Sequence, residues 1–305
     1  MARLITIILL ACLLPVPANG TLLVIAASAS GLVIAADSQT AILGTRCDDQ
    51  YKITEVRRPH RTAVAVTGNV VFINPPEARE TDVCQYLESA PRMLDIPSVV
   101  KTYLEHKVRD FSKLSLEDLA SECVAVSQRF QSANPGVFNS APGGEIFSVV
   151  IVNYDRKSKT ATIMNFVVRI DVATHEIRAD RFTHLTISSQ SRRGVWSYGE
   201  TDYLNRYVLG GFGREYLSES TKDFILVDEP VSKAPLDQAV AATVDIIQAA
   251  TRAAQIVPAP SGIGGPIDVL LLGKKPQPER IRWKGTAGPG NSTRTPPAQS
   301  WENGH

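Results

Sequence analysis

The order of the elements predicted from the sequence favours an α+β protein, a four-layer αββα sandwich with two β-sheets between two layers of helices. Three observations lead to this fold class. Strand patterns come first, helical patterns follow, strands return and a long helix comes near the end, so the order does not follow a βαβ repeat. The composition is that of a folded protein, with 44% hydrophobic and 21% charged residues among 305. Lys and Arg number 32 and Asp and Glu 31, a balance that favours neither nucleic acid nor an anionic membrane as a partner.

Short β-branched runs predict the first three strands. Thr21 to Ala27 reads TLLVIAA and Gly31 to Ala36 reads GLVIAA, and the Ser-Ala-Ser between them predicts a turn. Thr62 to Val66, which reads TAVAV, predicts a third strand that ends near Gly68.

Helical patterns predict the middle of the chain. After the break at Asn74 to Pro76 we expect a helical stretch from about Val83 to Leu116. A second helix, Leu116 to Gln131, starts with Ser115, a favourable capping residue. Strands are then expected at Glu145 to Tyr154, Thr160 to Val168 and Glu176 to Thr183.

The last third of the domain is predicted to be helical before one final strand. A helix is expected near Thr201 to Tyr207, and a longer one at Leu236 to Gln255, where apolar residues recur with helical spacing. The strand Ile267 to Leu272 follows. We therefore expect one domain over residues 21–284 and a disordered Gly- and Pro-rich tail over residues 285–305.

Residues 1–20 have the three parts of a secretory signal peptide. A cationic start at Arg3 precedes the apolar run Leu4 to Leu14, and Pro15 to Gly20 contains helix breakers and small residues. The run is too short to span a bilayer, so we expect no stable membrane anchor. Cleavage after Ala18 or after Gly20 would both suit the pattern, and a lipoprotein cut that leaves Cys12 lipidated is a third alternative. We expect a secreted or periplasmic protein.

The remaining cysteines allow one disulfide. If Cys12 leaves with the leader, then Cys47, Cys84 and Cys123 can form at most one bridge, and the sequence does not decide which pair forms it. The absence of a CxxC motif gives no support for a zinc site or a thioredoxin-like site. We expect no metal and no organic cofactor.

Thr21 is the candidate nucleophile, because either cut brings it to within two residues of the new terminus. A free N-terminal threonine carries a hydroxyl and an α-amine, and this amine has an intrinsic pKa of about 7.7–8.0 and can act as a general base near neutral pH. Such a site also needs a nearby cation, a carboxylate that holds this cation and a backbone N–H for the oxyanion.

The segment after Thr21 resembles the opening of proteasome β-type subunits, which are N-terminal-nucleophile hydrolases of the threonine peptidase class. The resemblance is carried by the Ala-Ala-Asp37-Ser end of the second strand, the Lys52-Ile53 pair and the Ala-rich strand that closes on Gly68, at nearly the family's spacings from Thr21. It implies the αββα fold and assembly into homo-oligomers. In the family, the glycine before the threonine is the point of self-cleavage, and Gly20 stands there.

The resemblance also implies a role for each residue. Thr21 would be the nucleophile, Lys52 would lower the relevant pKa values, Asp37 would orient Lys52, and the Gly68 N–H would form the oxyanion hole. Three further candidates, of a supporting kind, are Glu200, Thr201 and Ser261.

Two departures concern the supporting residues. The family has an aspartate three residues before the serine of a late turn, and here Pro258 precedes Ser261 at that distance. The serine expected after Gly199 is replaced by Glu200, with Thr201 next.

The leading hypothesis is an exported threonine-type hydrolase that cleaves peptides or small amides through an acyl ester on Thr21. The alternative is a catalytically inactive protein of the same fold that serves as an exported binding or assembly protein.

Overall fold

The computed structural model describes residues 16–18, 21–42, 45–47, 52–57, 59, 61–68, 70–73, 82–139, 141–257, 263–273 and 278–283. The strands are β1 Val16–Ala18, β2 Leu22–Ser28, β3 Gly31–Asp37, β4 Thr40–Ile42, β5 Thr45–Cys47, β6 Ile53–Val56, β7 Thr62–Gly68, β8 Val71–Ile73, β9 Arg92–Asp95, β10 Glu145–Asp155, β11 Thr160–Ile170, β12 Ile177–Ile187, β13 Val195–Gly199, β14 Ile267–Gly273 and β15 Glu279–Trp283. The helices are α1 Val83–Ser89, α2 Ile96–Lys107, α3 Leu116–Ala133, α4 Thr201–Tyr203 with its π-helical continuation Leu204–Leu209, α5 Glu219–Leu226 and α6 Leu236–Ile256.

Four antiparallel sheets are formed by these strands. One five-stranded sheet has the order β12-β11-β10-β7-β6, and the other has the order β13-β2-β3-β14-β15. A three-stranded sheet, β1-β8-β9, and the β4-β5 hairpin are separate from both. The fold is therefore mixed α/β with several antiparallel sheets.

Three apolar clusters hold the five-stranded sheets and helices together. Side chains of both large sheets share one cluster, for example Ile25 of β2 and Val152 of β10. A second cluster joins β7, β10 and β11 to α2 and α3, and a third joins β2, β3 and β14 to α6. Because β2 and β3 contribute to clusters on both faces, their continuous apolar sequence is explained.

The predicted four-layer αββα sandwich of two sheets is wrong. The described residues form sheets of five, five, three and two strands rather than two sheets, and they do not make a clear four-layer arrangement. The two additional sheets consist of strands of three or four residues. Strands this short give too little alternation of polar and apolar residues to be detected in a sequence.

The helical stretch predicted for Val83 to Leu116 is also wrong in part. Helix α1 ends at Ser89, β9 follows, and α2 begins at Ile96. Pro91 disfavours helical backbone in the residue before it, which explains the break, and Asp95 caps α2 by accepting a hydrogen bond from the Ser98 N–H at 3.1 Å.

The second predicted helix is confirmed. Helix α3 spans Leu116–Ala133, and the Ser115 hydroxyl accepts from the Asp118 N–H at 3.1 Å. The long predicted helix is confirmed as α6. The helix predicted near Thr201 is only one turn of α-helix before its π-helical continuation. In the part of the chain that the structure describes, none of the helices has both the length and the apolar character to span a membrane.

Candidate functional site

Thr21 lies directly before β2, between the ends of two neighbouring strands. Thr21 is buried, with 4% of its surface exposed. On one side, β3 pairs with β2 so that Leu23 lies opposite Ala36, which brings Asp37 beside the start of β2. On the other side, Gly199 of β13 pairs with Leu22. Because β2 lies between β13 and β3, the regions of Asp37 and of Gly199 both lie beside Thr21.

Asp37 is fully buried and is held by backbone N–H groups. One carboxylate oxygen accepts from the Leu22 N–H at 2.7 Å, and the other accepts from the Gly264 N–H at 3.3 Å. A carboxylate is tolerated in this environment only with such partners. Asp37 therefore connects the residue next to Thr21 with the segment that leads into β14.

Lys52 supplies the cation at this position. Its ammonium nitrogen lies 3.7 Å from the Asp37 carboxylate, and the two side chains are 7% and 0% exposed. The ammonium also donates a hydrogen bond to the Gln39 carbonyl oxygen. Lys52 comes immediately before β6, whose pairing with β7 fixes its position. The sequence-predicted pair of Lys52 and Asp37 is thus brought together.

Burial controls the electrostatics of this pair. It lowers the pKa of Lys52 below the ordinary lysine value, and the charges of Asp37 and Asp268 oppose that effect. It raises the pKa of Asp37, against which act the Lys52 charge and the two N–H donors. The pair is therefore poorly solvated, and each partner depends on the other for compensation of its charge.

Asp268 is a second buried carboxylate that the sequence analysis did not assign to the site. It is 0% exposed and lies opposite Ala36 in the pairing of β14 with β3. Its charge acts on Lys52 and raises the pKa of that ammonium. The detectable signal was an aspartate within the apolar run Ile267–Gly273, because an acid inside a buried strand usually has a charged or polar partner.

Backbone hydrogen bonds hold the segment before β14 against the end of β3. The Ser38 N–H donates to the Pro266 carbonyl at 3.0 Å, and the Gln39 N–H donates to the Gly264 carbonyl at 3.0 Å. This pairing aligns the Gly264 N–H with Asp37. Gln39 is therefore a further residue that positions Lys52, since its own carbonyl accepts from the ammonium.

Gly68 ends β7, and the residue before it, Thr67, lies near Gly199. A Cβ atom placed on Gly199 would lie 2.0 Å from the Thr21 carbonyl oxygen and 3.2 Å from the Thr67 side chain. The end of β7 is therefore close to Thr21. Gly68 has a φ of +96°, and a Cβ atom there would lie 2.6 Å from the Ile146 carbonyl oxygen, so this position requires glycine.

Of the three supporting residues proposed from the resemblance, two lie in the described part of the chain. The Glu200 N–H donates to the Thr21 carbonyl at 3.3 Å, so Glu200 is adjacent to the candidate nucleophile. The Thr201 hydroxyl donates to the Ser197 carbonyl at 3.3 Å. Ser261 and Pro258 lie outside the described residues, as does Gly20.

The structure also decides the disulfide pairing. Cys47 and Cys84 form the bridge, with Cα atoms 5.4 Å apart, and Cys123 is a buried free thiol. Burial raises the pKa of the Cys123 thiol to about 12, so it stays protonated and unreactive.

Within the described ranges, no group of three or more His, Cys, Asp and Glu residues could hold a metal ion.

Comparisons with known proteins give structural similarities at low identity. No protein-family model matches the chain, and no curated protein matches it. Among solved structures, the chain is similar to the Anbu complex from Pseudomonas aeruginosa, solved as a helical assembly, with 14% identity, 87% of each chain covered and a TM-score of 0.48. It is also similar to Anbu, an ancestral beta-subunit, from Yersinia bercovieri, with 14% identity, 85% of this chain and 86% of that chain covered and a TM-score of 0.44.

A third similar structure is a Gly-1 mutant of Anbu from Hyphomicrobium sp. strain MC1, with 13% identity, 88% of each chain covered and a TM-score of 0.46. These values assign no family. The identification with proteasome β-type subunits and N-terminal-nucleophile hydrolases is therefore corrected, because the comparisons do not show that membership. The motif around Thr21 that carries the resemblance covers about fifty residues, and a match of this length does not establish the family of the whole chain.

Proposed function

We propose that the mature protein begins at Thr21 and hydrolyses amide bonds of peptides or small amides. The observation that carries the proposal is the buried Lys52–Asp37 pair, 3.7 Å apart, whose carboxylate accepts from the N–H of the residue after Thr21. A buried ion pair costs desolvation energy that its own attraction does not always recover. Its place beside a residue that becomes a free terminus is typical of a catalytic role.

The chemistry follows from the groups at the site. The Thr21 α-amine accepts the hydroxyl proton, through a water molecule, and the Lys52 ammonium favours the neutral amine. The hydroxyl oxygen attacks the substrate carbonyl, the C–N bond breaks, and the proton passes to the leaving amine. Water then hydrolyses the acyl ester and frees Thr21. The Gly68 N–H serves as the oxyanion donor.

Export remains part of the proposal. The Cys47–Cys84 disulfide supports it, because disulfides persist in oxidising compartments such as the periplasm or the cell exterior.

Self-association also remains a proposal. Light scattering coupled to size-exclusion chromatography on the mature protein tests it, and a monomeric mass at working concentrations would contradict it.

The decisive experiment determines the mature N-terminus and then tests the hydroxyl. Intact-mass measurement and N-terminal sequencing of the processed protein are expected to give Thr21 as the first residue. Fluorogenic peptide and acyl-amide substrates then report kcat/KM. The near-isosteric Thr21→Val variant loses the hydroxyl and should fall by about a thousandfold or more.

The matched control is Thr21→Ser, which retains a hydroxyl and an α-amine and should keep measurable activity. A mature chain that starts elsewhere would overturn the proposal. So would full hydrolytic activity in the Thr21→Val variant.

A second candidate function is that of an exported binding or assembly protein without catalysis. The observation that favours it is at Glu200 and Thr201, where the hydroxyl expected near the amine is replaced by a carboxylate and a hydroxyl bonded to a backbone carbonyl. It predicts a mature chain beginning at Thr21 with no turnover of either substrate class.

A further inference from the structure

A separate cavity of about 300 Å³ lies at the far end of β2 from Thr21. Thr21 precedes the first residue of this strand, and the cavity is lined by Ser28, its last residue. The seven residues of β2 span about 20 Å. The other walls come from the β10–β11 hairpin, the segment that follows β12, and the Val231–Lys233 turn. The cavity therefore shares no residue with the candidate catalytic site.

The polar groups that line this cavity are one ammonium and five hydroxyls, over an apolar base. Ala27, Leu32 and Val231 belong to the cluster between the two large sheets and line its inner wall. The polar lining consists of Lys159, Tyr154 and four serines, namely Ser28, Ser188, Ser189 and Ser232. None of the lining residues carries a carboxylate side chain.

Tyr154 contributes a hydroxyl group to the lining of this cavity. The residue is only 6% exposed, and its hydroxyl makes no hydrogen bond with any of the described residues. Burial raises the pKa of Tyr154, so the hydroxyl is protonated at neutral pH and can donate.

Lys159 is the charged residue of the lining. Its φ of +53° is unusual for a residue other than glycine. The turn before it is fixed by Asp155, whose carboxylate accepts from the Lys157 N–H at 2.9 Å and from the Ser158 hydroxyl at 2.6 Å. The Lys159 ammonium forms no ion pair with any carboxylate of the described residues. The exposed residue Lys159 thus contributes a positive charge to the cavity lining.

We propose that this cavity binds a small oxyanion, a phosphate group either free or on a small ester, with Lys159 as its charge partner and the Tyr154 hydroxyl as a donor. The volume is at the lower limit of natural ligand pockets, which suits a ligand of this size. Charge-assisted hydrogen bonds to an oxyanion are stronger than neutral ones, and a lining with one cation and no carboxylate favours an anion over a cation.

The test is isothermal titration of the folded full-length protein with inorganic phosphate and, in a second arm, with glycerol phosphate. Saturable binding at one site is expected for at least one of them, and the tighter of the two identifies the source of the phosphate group. Lys159→Met should weaken binding at least tenfold, and Tyr154→Phe should weaken it severalfold.

The matched control is Lys157→Met, which removes an exposed charge from the same turn and should change affinity by less than twofold. Thr21→Val should leave the affinity unchanged, so this result is independent of the proposed hydrolysis. The absence of saturable binding in both arms would overturn the proposal. Equal losses in Lys157→Met and Lys159→Met would also overturn it, because they would indicate general surface charge.

Discussion

At the scale of single residues, the site depends on one cation shared by two buried carboxylates. Lys52 lies 3.7 Å from Asp37, and the charge of Asp268 also stabilises its protonated form. The two carboxylates therefore oppose the loss of the lysine proton that burial favours.

Asp268→Asn is expected to move the alkaline limb of the pH–rate profile to lower pH. Burial already lowers the pKa of Lys52, and removal of the Asp268 charge lowers it further, so the ammonium loses its proton earlier as pH rises. In the proposed mechanism kcat/KM should then be severalfold lower on the alkaline limb and little changed near neutral pH. Exposed Asp237→Asn is the control, and an unchanged alkaline limb in Asp268→Asn would contradict the assignment.

At the scale of elements, the end of β13 determines where Thr21 lies. The chain leaves β13 through Gly199 at a φ of +83° and enters α4 directly, and the Glu200 N–H donates to the Thr21 carbonyl.

Strand β1 pairs with β8, so that Val16 lies opposite Ile73. Removal of residues 1–20, as predicted, would therefore also remove a strand from the three-stranded sheet.

Gly199→Ala should destabilise the protein more than Gly136→Ala does. The two glycines have nearly the same φ, +83° and +82°, so both substitutions carry the same backbone strain of about 1 kcal/mol. Only at Gly199 would the new methyl group lie 2.0 Å from a backbone oxygen, whereas at Gly136 its nearest neighbour is 3.4 Å away. Urea unfolding measures the difference, and equal losses of stability would show that the Thr21 contact is not rigid.

At the scale of the whole molecule, the disulfide connects the segment that contains Lys52 and Gly68 into a closed loop. Cys47 lies five residues before Lys52, and Cys84 is the second residue of α1. The bridge spans a sequence separation of 37. Its main effect is to lower the conformational entropy of the unfolded chain, which increases the free energy of unfolding.

Cys84→Ala is expected to lower the free energy of unfolding by about 3–4 kcal/mol, the magnitude for a loop of this length. Chemical unfolding measures it, with Cys123→Ala as a comparison that leaves the bridge intact. A reductant should lower the stability of the wild-type protein and have little effect on the Cys84→Ala variant. Equal sensitivity of the two proteins to reductant would contradict this account.

Local patterns in the sequence predicted the long elements and the candidate site residues. The strands β2, β3, β7 and β10 and the helices α3 and α6 were predicted because their apolar patterns are long enough to be unambiguous. The grouping of Thr21, Asp37 and Lys52 came from a resemblance in motifs and spacing to proteasome β-type subunits, and their roles stay a prediction. Each of these predictions depends on information that lies within a short segment of the chain.

The tertiary structure alone decided the sheets, the disulfide partner and the second carboxylate. The short strands β1, β8 and β9 pair with residues far apart in sequence, and β4 and β5 have only three residues each, so their sequences carry little signal of their own. Asp268 lies more than two hundred residues from Lys52 and reaches its surroundings through the pairing of β14 with β3. Local preference determines where long elements form, whereas contacts between segments far apart in sequence determine which side chains share a buried charge.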